Sequence, residues 1–156
     1  MIAPEDDIDR IMAVMEAAFP PEFGEAWNRR QLIDAMIVGN CRYGLIGPEG
    51  DEPVREGDEV AGFFLARSVL DEEELLLFAI HPSFRRRGLG GILLRRFIET
   101  ARNRGMHRLF LEMRRGNPAA GLYAAHGFRP VGIRPGYYRT TDGVRLDAIS
   151  QELVLV

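Results

Sequence analysis

Apolar residues recur at helical spacing in two segments near the start of the chain. Residues 4–19 carry acids in the first turn and an apolar face made of Ile8, Ile11, Met12, Met15 and Phe19. Residues 28–38 repeat the pattern, and Asn28 stands at the position of a helix N-cap. Both segments are predicted to be amphipathic helices. In the loop between them, Phe23 and Trp27 either form a substrate wall or cover the core.

The rest of the chain alternates between short apolar runs and helical spacing. Strands are predicted at residues 41–46, 59–68, 75–80, 108–114, 129–138 and 146–156. The run at 75–80 is too short for a surface helix and ends at His81-Pro82, which predicts a strand covered on both faces. Helices are predicted from the glycines after this strand to about Arg104, and again over residues 117–127.

Size and composition fit one globular domain. The chain has 156 residues, of which 46% are hydrophobic. It contains no apolar run of about 18 residues, and its first residues are acidic, so neither a membrane span nor a secretory signal is expected. We therefore expect a soluble, cytoplasmic protein. The lone cysteine, Cys41, excludes an internal disulfide and gives no metal cluster.

The net charge of −3 conceals an uneven distribution. Residues 1–74 contain 18 acidic residues and 6 arginines, whereas residues 75–156 contain 5 acidic residues and 14 arginines. This division predicts that the second half of the chain meets a polyanion. The aromatic residues do not alternate with the arginines as a nucleic-acid stacking surface requires, so nucleic acid is not expected as a direct partner.

The segment after the 75–80 strand combines positive charge with glycine. Its residues are Arg85, Arg86, Arg87, Gly88, Leu89 and Gly90. Glycine lets a ligand approach the backbone, and the first amides of a helix lack partners and point outward. Because no Gly-x-x-x-x-Gly-Lys-Ser/Thr occurs, a P-loop is excluded. The order strand, basic loop and helix nevertheless predicts a phosphate site.

Two glutamates are candidates for chemistry. Glu112 interrupts an apolar strand, where a carboxylate is costly unless it is paired or used. It is therefore either a functional residue or the partner of a nearby arginine such as Arg114. Residues 71–74 are predicted to form a solvated acidic turn, except that Glu74 touches the following strand and is a candidate catalytic or substrate-binding residue.

These residues carry a resemblance to a known family. The order strand, Arg85-x-x-Gly88-x-Gly90 and helix resembles the GNAT acetyltransferases, whose motif binds the pyrophosphate of acetyl-CoA. Other residues resemble the RimI group of that family, which acetylates the N-terminal alanine of ribosomal protein S18: Glu74-Leu75-Leu76, Leu111-Glu112-Met113-Arg114, Asn117, Ala120, Leu122-Tyr123, Gly127-Phe128, Tyr137-Tyr138 and Asp147-Ala148-Ile149. The match spans about residues 59–156.

The resemblance implies an α/β fold, with one domain over residues 1–156. Its sheet would be mixed and mostly antiparallel, with six to seven strands and about four flanking helices. The amides of the basic loop would hold the pyrophosphate of acetyl-CoA. The strand edge at Phe78, Ala79 and Ile80 would pair with the pantetheine arm, and Asn117 and Tyr123 would contact the cofactor near its thiol.

The resemblance also implies roles on the acceptor side. Glu112 would be the general base and Tyr123 the general acid, while Tyr137 and Tyr138 would line the peptide. One departure concerns Asn117, which precedes Tyr123 by six positions where the family has seven. One residue turns a helix by about 100°, so either the helix start is rebuilt around Pro118 or Asn117 is not the equivalent residue.

The sequence thus predicts an acetyl-CoA-dependent N-acetyltransferase that acts on a protein or peptide N-terminus. Two alternatives stay open. The acceptor is a small amine or amino acid, or the domain is a non-catalytic acyl-CoA sensor, although a sensor would need neither Glu112 nor Tyr123. The oligomeric state is not predicted.

Overall fold

The computed structural model describes residues 3–52 and 54–155. The helices are α1 (Glu5–Ala18), α2 (Arg29–Val38), α3 (Leu89–Asn103) and α4 (Ala120–Ala125), with 3₁₀ turns at Pro21–Phe23 and Pro82–Phe84. The strands are β1 (Cys41–Ile46), β2 (Gly62–Val69), β3 (Glu72–Ile80), β4 (Arg108–Arg114), β5 (Arg129–Arg139) and β6 (Arg145–Val154). Among the described helices, none combines the length and apolar character that crossing a membrane requires.

The six described strands form one sheet in the order β1-β2-β3-β4-β6-β5. Neighbouring strands are antiparallel except β3 and β4, which are parallel. A parallel pair needs a crossover connection, and α3 provides it here. The predicted mixed, mostly antiparallel sheet with about four helices is confirmed.

Local signals define the helix ends. The Asn28 side chain accepts a hydrogen bond from the Gln31 backbone N–H, and the Gln31 side chain accepts one from the Asn28 N–H, which is a capping box. Gly105 follows α3 with a φ of +80°, and Gly127 follows α4 with a φ of +96°. A Cβ disfavours this left-handed conformation, so glycine ends both helices.

Helices cover the sheet on both faces. On one face, Phe97 of α3 packs against Phe64 of β2, with ring centroids 5.2 Å apart. On the other face, Met15 of α1 and Leu32 of α2 pack with Phe63 of β2. Successive residues of β2 therefore enter opposite cores, and the strand is apolar on both sides.

The strand β3 carries a bulge and then separates from β4. Leu65 of β2 lies opposite Leu77 and Ala66 opposite Leu75, so Leu76 is an extra residue. The parallel pairing of β3 with β4 runs from Glu72 opposite Arg108 only to Leu75 opposite Leu111. Beyond that point the strands splay apart, and the last residues of β3 border a cavity on the side that β4 leaves.

The acidic stretch before the apolar strand is not the solvated turn that the sequence predicts. Glu72, Glu73 and Glu74 begin β3, and the Glu73 side chain is 0% exposed. Arg42 binds its carboxylate through Nε at 3.0 Å and Nη2 at 2.6 Å, and Arg104 Nη1 donates at 2.8 Å. The three side chains connect β1, β3 and the end of α3, so a buried ion triad holds one end of the sheet.

Replacing Glu73 by glutamine is expected to destabilise the protein, because Arg42 and Arg104 lose their shared counter-charge. Removing one partner of a buried pair costs about 3–5 kcal/mol, and the partial exposure of Arg104 places the expected loss of unfolding free energy near the lower end. Glu72→Gln is the matched control, since Glu72 precedes Glu73 and is more exposed. Urea denaturation measures both; equal midpoints would contradict the role of the triad.

Candidate active site

A cavity of about 420 Å³ opens where β3 and β4 splay. We call it the loop cavity. Its walls come from the end of β3, the basic loop, and the turn before α4, and they include Phe78, Ala79, Ile80, Gly90, Asn117 and Pro118. The backbone edge of β3 is therefore open to an extended ligand that can pair with it as a strand would.

The basic loop has a backbone suited to an anion. Arg86 and Gly88 are left-handed, with φ of +65° and +75°, and α3 begins immediately afterwards at Leu89. Backbone turns of this kind can gather N–H groups on one concave side, next to the positive end of the helix dipole. A Cβ at position 90 would lie 3.2 Å from Leu122 Cδ2, a tight contact that favours glycine at this position. With no acid in the first turn of α3, the loop fits a pyrophosphate.

The arginine side chains of the loop serve different contacts. Arg85 donates through Nε to the carbonyl oxygen of Ile80 and through Nη2 to that of Ala18, both at 3.3 Å. The Arg87 guanidinium lies 5.3 Å from the centre of the Phe84 ring. Arg85 thus fastens the end of α1 to the end of β3, while Arg85 and Arg86 both border the loop cavity.

A second cavity, of about 310 Å³, lies beside the first. We call it the tyrosine cavity, because Tyr123, Tyr137 and Tyr138 line it together with the carboxylates of Glu25 and Glu112. Its walls share four residues with the loop cavity: Phe19, Glu25, Phe78 and Asn117. An elongated ligand in the loop cavity would therefore end next to the tyrosines and carboxylates.

Glu112 lies in the tyrosine cavity without a strong structural partner. Its side chain is 24% exposed, and Oε2 is 3.4 Å from Nε of Arg134, which is itself largely exposed. Such a solvent-screened pair contributes little to stability. The alternative pairing of Glu112 with Arg114 does not form, because Arg114 binds Glu25 instead. The Glu112 carboxylate is thus free to take part in chemistry.

Tyr123 and Asn117 reach the junction of the cavities from the α4 region. Tyr123 is buried with its ring edge-on to Phe78 and Phe128. Burial, with a smaller contribution from the Glu25 charge, raises the pKa of Tyr123, so its hydroxyl stays protonated. Asn117 Oδ1 accepts from the Ala119 N–H at 2.8 Å, and α4 begins only at Ala120. The helix thus begins two residues after Pro118, and both side chains line the tyrosine cavity.

The two consecutive tyrosines of β5 differ in burial. Tyr137 is exposed at the rim of the tyrosine cavity, whereas Tyr138 is half-buried. Their ring centroids are 5.2 Å apart, and the ring planes are perpendicular. Burial, followed by the charges of Glu112 and Glu25, raises the pKa of Tyr138 to about 12. The negative fields of both carboxylates therefore converge on this hydroxyl.

Two predicted site residues are absent from the described walls of both cavities: Arg87, whose guanidinium lies over the Phe84 ring, and Glu74. Glu74 Oε1 faces Nη2 of Arg67 at 3.3 Å, opposite it on β2, and Glu74 is absent from the described walls of both cavities. The physical reason is that the Glu74 side chain lies beside Arg67 of β2 and forms an ion pair with it.

Two residues that the sequence analysis did not assign to the site belong to it. Glu25 lines both cavities, and Arg114 lines the loop cavity. Trp27 packs on the α1–α2 core, as one of its two predicted roles required, and it also lines the tyrosine cavity. Glu25 comes from a loop without periodicity, and only the aromatic residues on either side of it distinguished that loop.

The geometry agrees with a family comparison. The model of the acetyltransferase (GNAT) family matches residues 8–128, which includes the basic loop, Glu112 and Tyr123. The chain belongs to the acetyltransferase (GNAT) family. In this GNAT protein Arg85, Gly88 and Gly90 of the motif line the loop cavity.

The relatives of this GNAT chain include alanine N-acetyltransferases. A [ribosomal protein bS18]-alanine N-acetyltransferase of Haemophilus ducreyi is 36% identical over 97% of this chain and 96% of its own length. The protein of the same name from Escherichia coli K12 is 42% identical over 63% of this chain. The matched part spans 66% of that relative, slightly less than two thirds.

Solved structures show the same GNAT fold. The crystal structure of the ribosomal-protein-S18-alanine N-acetyltransferase from Escherichia coli superposes with a TM-score of 0.79 and 31% identity, covering 99% of this chain and 91% of that one. A ribosomal-protein-alanine N-acetyltransferase from Brucella melitensis superposes with a TM-score of 0.74 at 22% identity, covering 99% and 98%. The second match shows the fold alone.

Folding stability is expected to fall as the pH rises above 10. Folded Tyr138 keeps its proton up to about pH 12, whereas an unfolded tyrosine releases it near pH 10, so the unfolded state binds fewer protons in this window. Tyr138→Phe should make the decline shallower, and Tyr137→Phe, at the exposed neighbour, should change it less. Urea denaturation across this window measures both; equal slopes for wild type and Tyr138→Phe would contradict the prediction.

Proposed function

We propose that this GNAT protein is an acetyl-CoA-dependent N-acetyltransferase that acts on the α-amine of a protein or peptide N-terminus. The observation that carries the proposal is the meeting of two cavities at the β3–β4 splay. One is bordered by the basic loop and an open strand edge, and the other by the Glu112 carboxylate and a tyrosine that burial keeps protonated.

The loop cavity fits acetyl-CoA. The backbone amides from Arg85 to Gly90 would hold the pyrophosphate, with the loop arginines adding positive charge. The edge of Phe78, Ala79 and Ile80 would pair with the pantetheine amides, and Asn117 would contact the end that reaches the tyrosine cavity. When bound, this cosubstrate supplies an acetyl thioester.

The tyrosine cavity supplies acid and base at the same junction. An α-amine has a pKa of about 8 and must lose a proton to become a nucleophile. Glu112 would accept that proton, directly or through a water molecule. Tyr123 Oη, protonated at neutral pH, would give a proton to the departing sulfur. The bonds exchanged are one C–N for one C–S, so no covalent enzyme intermediate is needed.

The relatives support the acceptor class. Two of them, at 36% and 42% identity, bear the name of bS18-alanine N-acetyltransferase. We therefore infer that the acceptor is a polypeptide N-terminus, with ribosomal protein S18 as the candidate, and that the protein works in the cytoplasm. Glu112 and Tyr123 argue against a non-catalytic sensor, because holding a cofactor requires neither.

Thiol release from acetyl-CoA with two peptides tests the proposal. One peptide begins with Ala-Arg and has a free N-terminus, and the other is N-terminally blocked but contains lysine. We expect turnover only on the free N-terminus. Turnover on neither peptide, despite measurable CoA binding, would contradict the proposal and favour a small amine acceptor or a sensor.

Two matched variants then identify the base. Glu112→Gln is expected to lower kcat by about 10²–10⁴-fold, which is the usual contribution of general base catalysis. Glu74→Gln makes the same chemical change outside both cavities and should leave kcat near the wild-type value. A larger loss in Glu74→Gln would reverse the assignment.

A further inference from the structure

Glu25 lies at the junction of the two cavities and lines both of them. It belongs to the loop between the 3₁₀ turn Pro21–Phe23 and α2, and its side chain is 14% exposed. A carboxylate with so little contact with solvent is costly unless it is paired or bound by a ligand. The groups around the Glu25 carboxylate therefore indicate which kind of ligand it can bind.

One oxygen of Glu25 is bound within the protein. Arg114 Nε donates to Oε1 at 3.0 Å, and the Arg114 side chain is only 8% exposed. The guanidinium also stacks 3.6 Å from the centre of the Phe23 ring. Arg114 thus holds the α1–α2 loop against the end of β4 and orients the carboxylate. Among the described residues, no donor reaches Oε2.

The charge of Glu25 is felt inside the tyrosine cavity. Together with Glu112 it raises the pKa of Tyr138, and it contributes to the raised pKa of Tyr123, although burial is the larger cause in both. Arg114 acts in the opposite direction on Tyr138. The carboxylates of Glu25 and Glu112 therefore both act on the tyrosine cavity, and only Glu25 is paired with a buried arginine.

An α-amine enters such a space as an ammonium group with three N–H donors. Glu112 can take one proton, but the nitrogen must be held while its lone pair is freed. A second carboxylate with an available oxygen provides a charge-assisted hydrogen bond to another N–H. Glu25 is the described residue that meets this requirement.

We propose that the Glu25 carboxylate, fixed by Arg114, binds the ammonium group of the acceptor through Oε2 and so selects a cationic amine over a neutral group of the same shape. Glu112 remains the base, and Glu25 is an acceptor-binding residue. The inference rests on the proposed function, because it assigns the site to an amine acceptor.

Equilibrium binding tests this inference without turnover. A tripeptide that begins with alanine is compared with its analogue in which lactate replaces the alanine, so that a hydroxyl replaces the ammonium. Calorimetry with CoA-bound protein measures both. Wild type should bind the amine more tightly by about tenfold or more, since a hydrogen bond to a charged group contributes about 1.5–3 kcal/mol. Equal wild-type affinities would overturn the inference.

Glu25→Gln should lower this discrimination by about tenfold, because only Glu112 then remains to attract the ammonium, whereas Glu22→Gln, at an exposed acid on the adjacent 3₁₀ turn, should preserve it. Because Glu25→Gln leaves a buried arginine without its counter-charge, the double variant Glu25→Gln/Arg114→Gln is measured as well. Weaker discrimination in the double variant than in wild type supports the binding of the ammonium group by Glu25. Retained discrimination in a folded double variant would show that the pair is only structural and would overturn the inference.

The binding result is separable from the proposed function. Suppose that wild type acetylates the free N-terminus and that Glu25→Gln leaves the discrimination unchanged. This result would reject ammonium binding by Glu25 and would support the proposed acetyltransferase function. Suppose instead that wild type prefers the ammonium, that Glu25→Gln weakens this preference, and that no turnover occurs. This result would support ammonium binding by Glu25 and would reject peptide acetylation.

Discussion

The site depends on one constraint, which is that β3 and β4 stop pairing after Leu75 and Leu111. A continuous ladder would satisfy the backbone of both strands and leave no space between them. Because the strands splay, the end of β3 keeps a free edge, and residues of β4 and α4 face the gap. The basic loop follows β3 directly, so the free strand edge and the loop border the same cavity.

Arginines hold two carboxylates that have little contact with solvent, one on either side of the point where the strands separate. Arg42 and Arg104 hold Glu73 where β3 and β4 are still paired, and Arg114 holds Glu25 where they have separated. Breaking either arrangement leaves a charge with little solvent to replace the partner. The arginines at Glu73 stabilise the sheet. Glu25 also lines both cavities, so its carboxylate is placed to bind a ligand there.

Environment separates the roles of chemically similar residues. Glu112 has a weak, solvent-screened partner and faces the cavity, whereas Glu74 pairs with Arg67 outside it. Tyr123 is enclosed by aromatic rings and stays protonated, whereas Tyr137 is exposed at the rim. At this junction, burial therefore keeps the Tyr123 hydroxyl protonated, while the Glu112 carboxylate keeps some contact with solvent.

The sequence by itself determined the elements and the chemistry that local pattern carries. The Asn28 cap, the glycines after α3 and α4, the basic loop and the unusual carboxylate at Glu112 are all readable, because their causes lie within a few residues. Tertiary structure decided the burial of Glu73, the pairing of Glu74 with Arg67, and the pairing of Glu25 with Arg114 across 89 positions. Those outcomes depend on which side chains meet after the sheet has formed, and a single charged residue in a strand or loop carries no local sign of its distant partner.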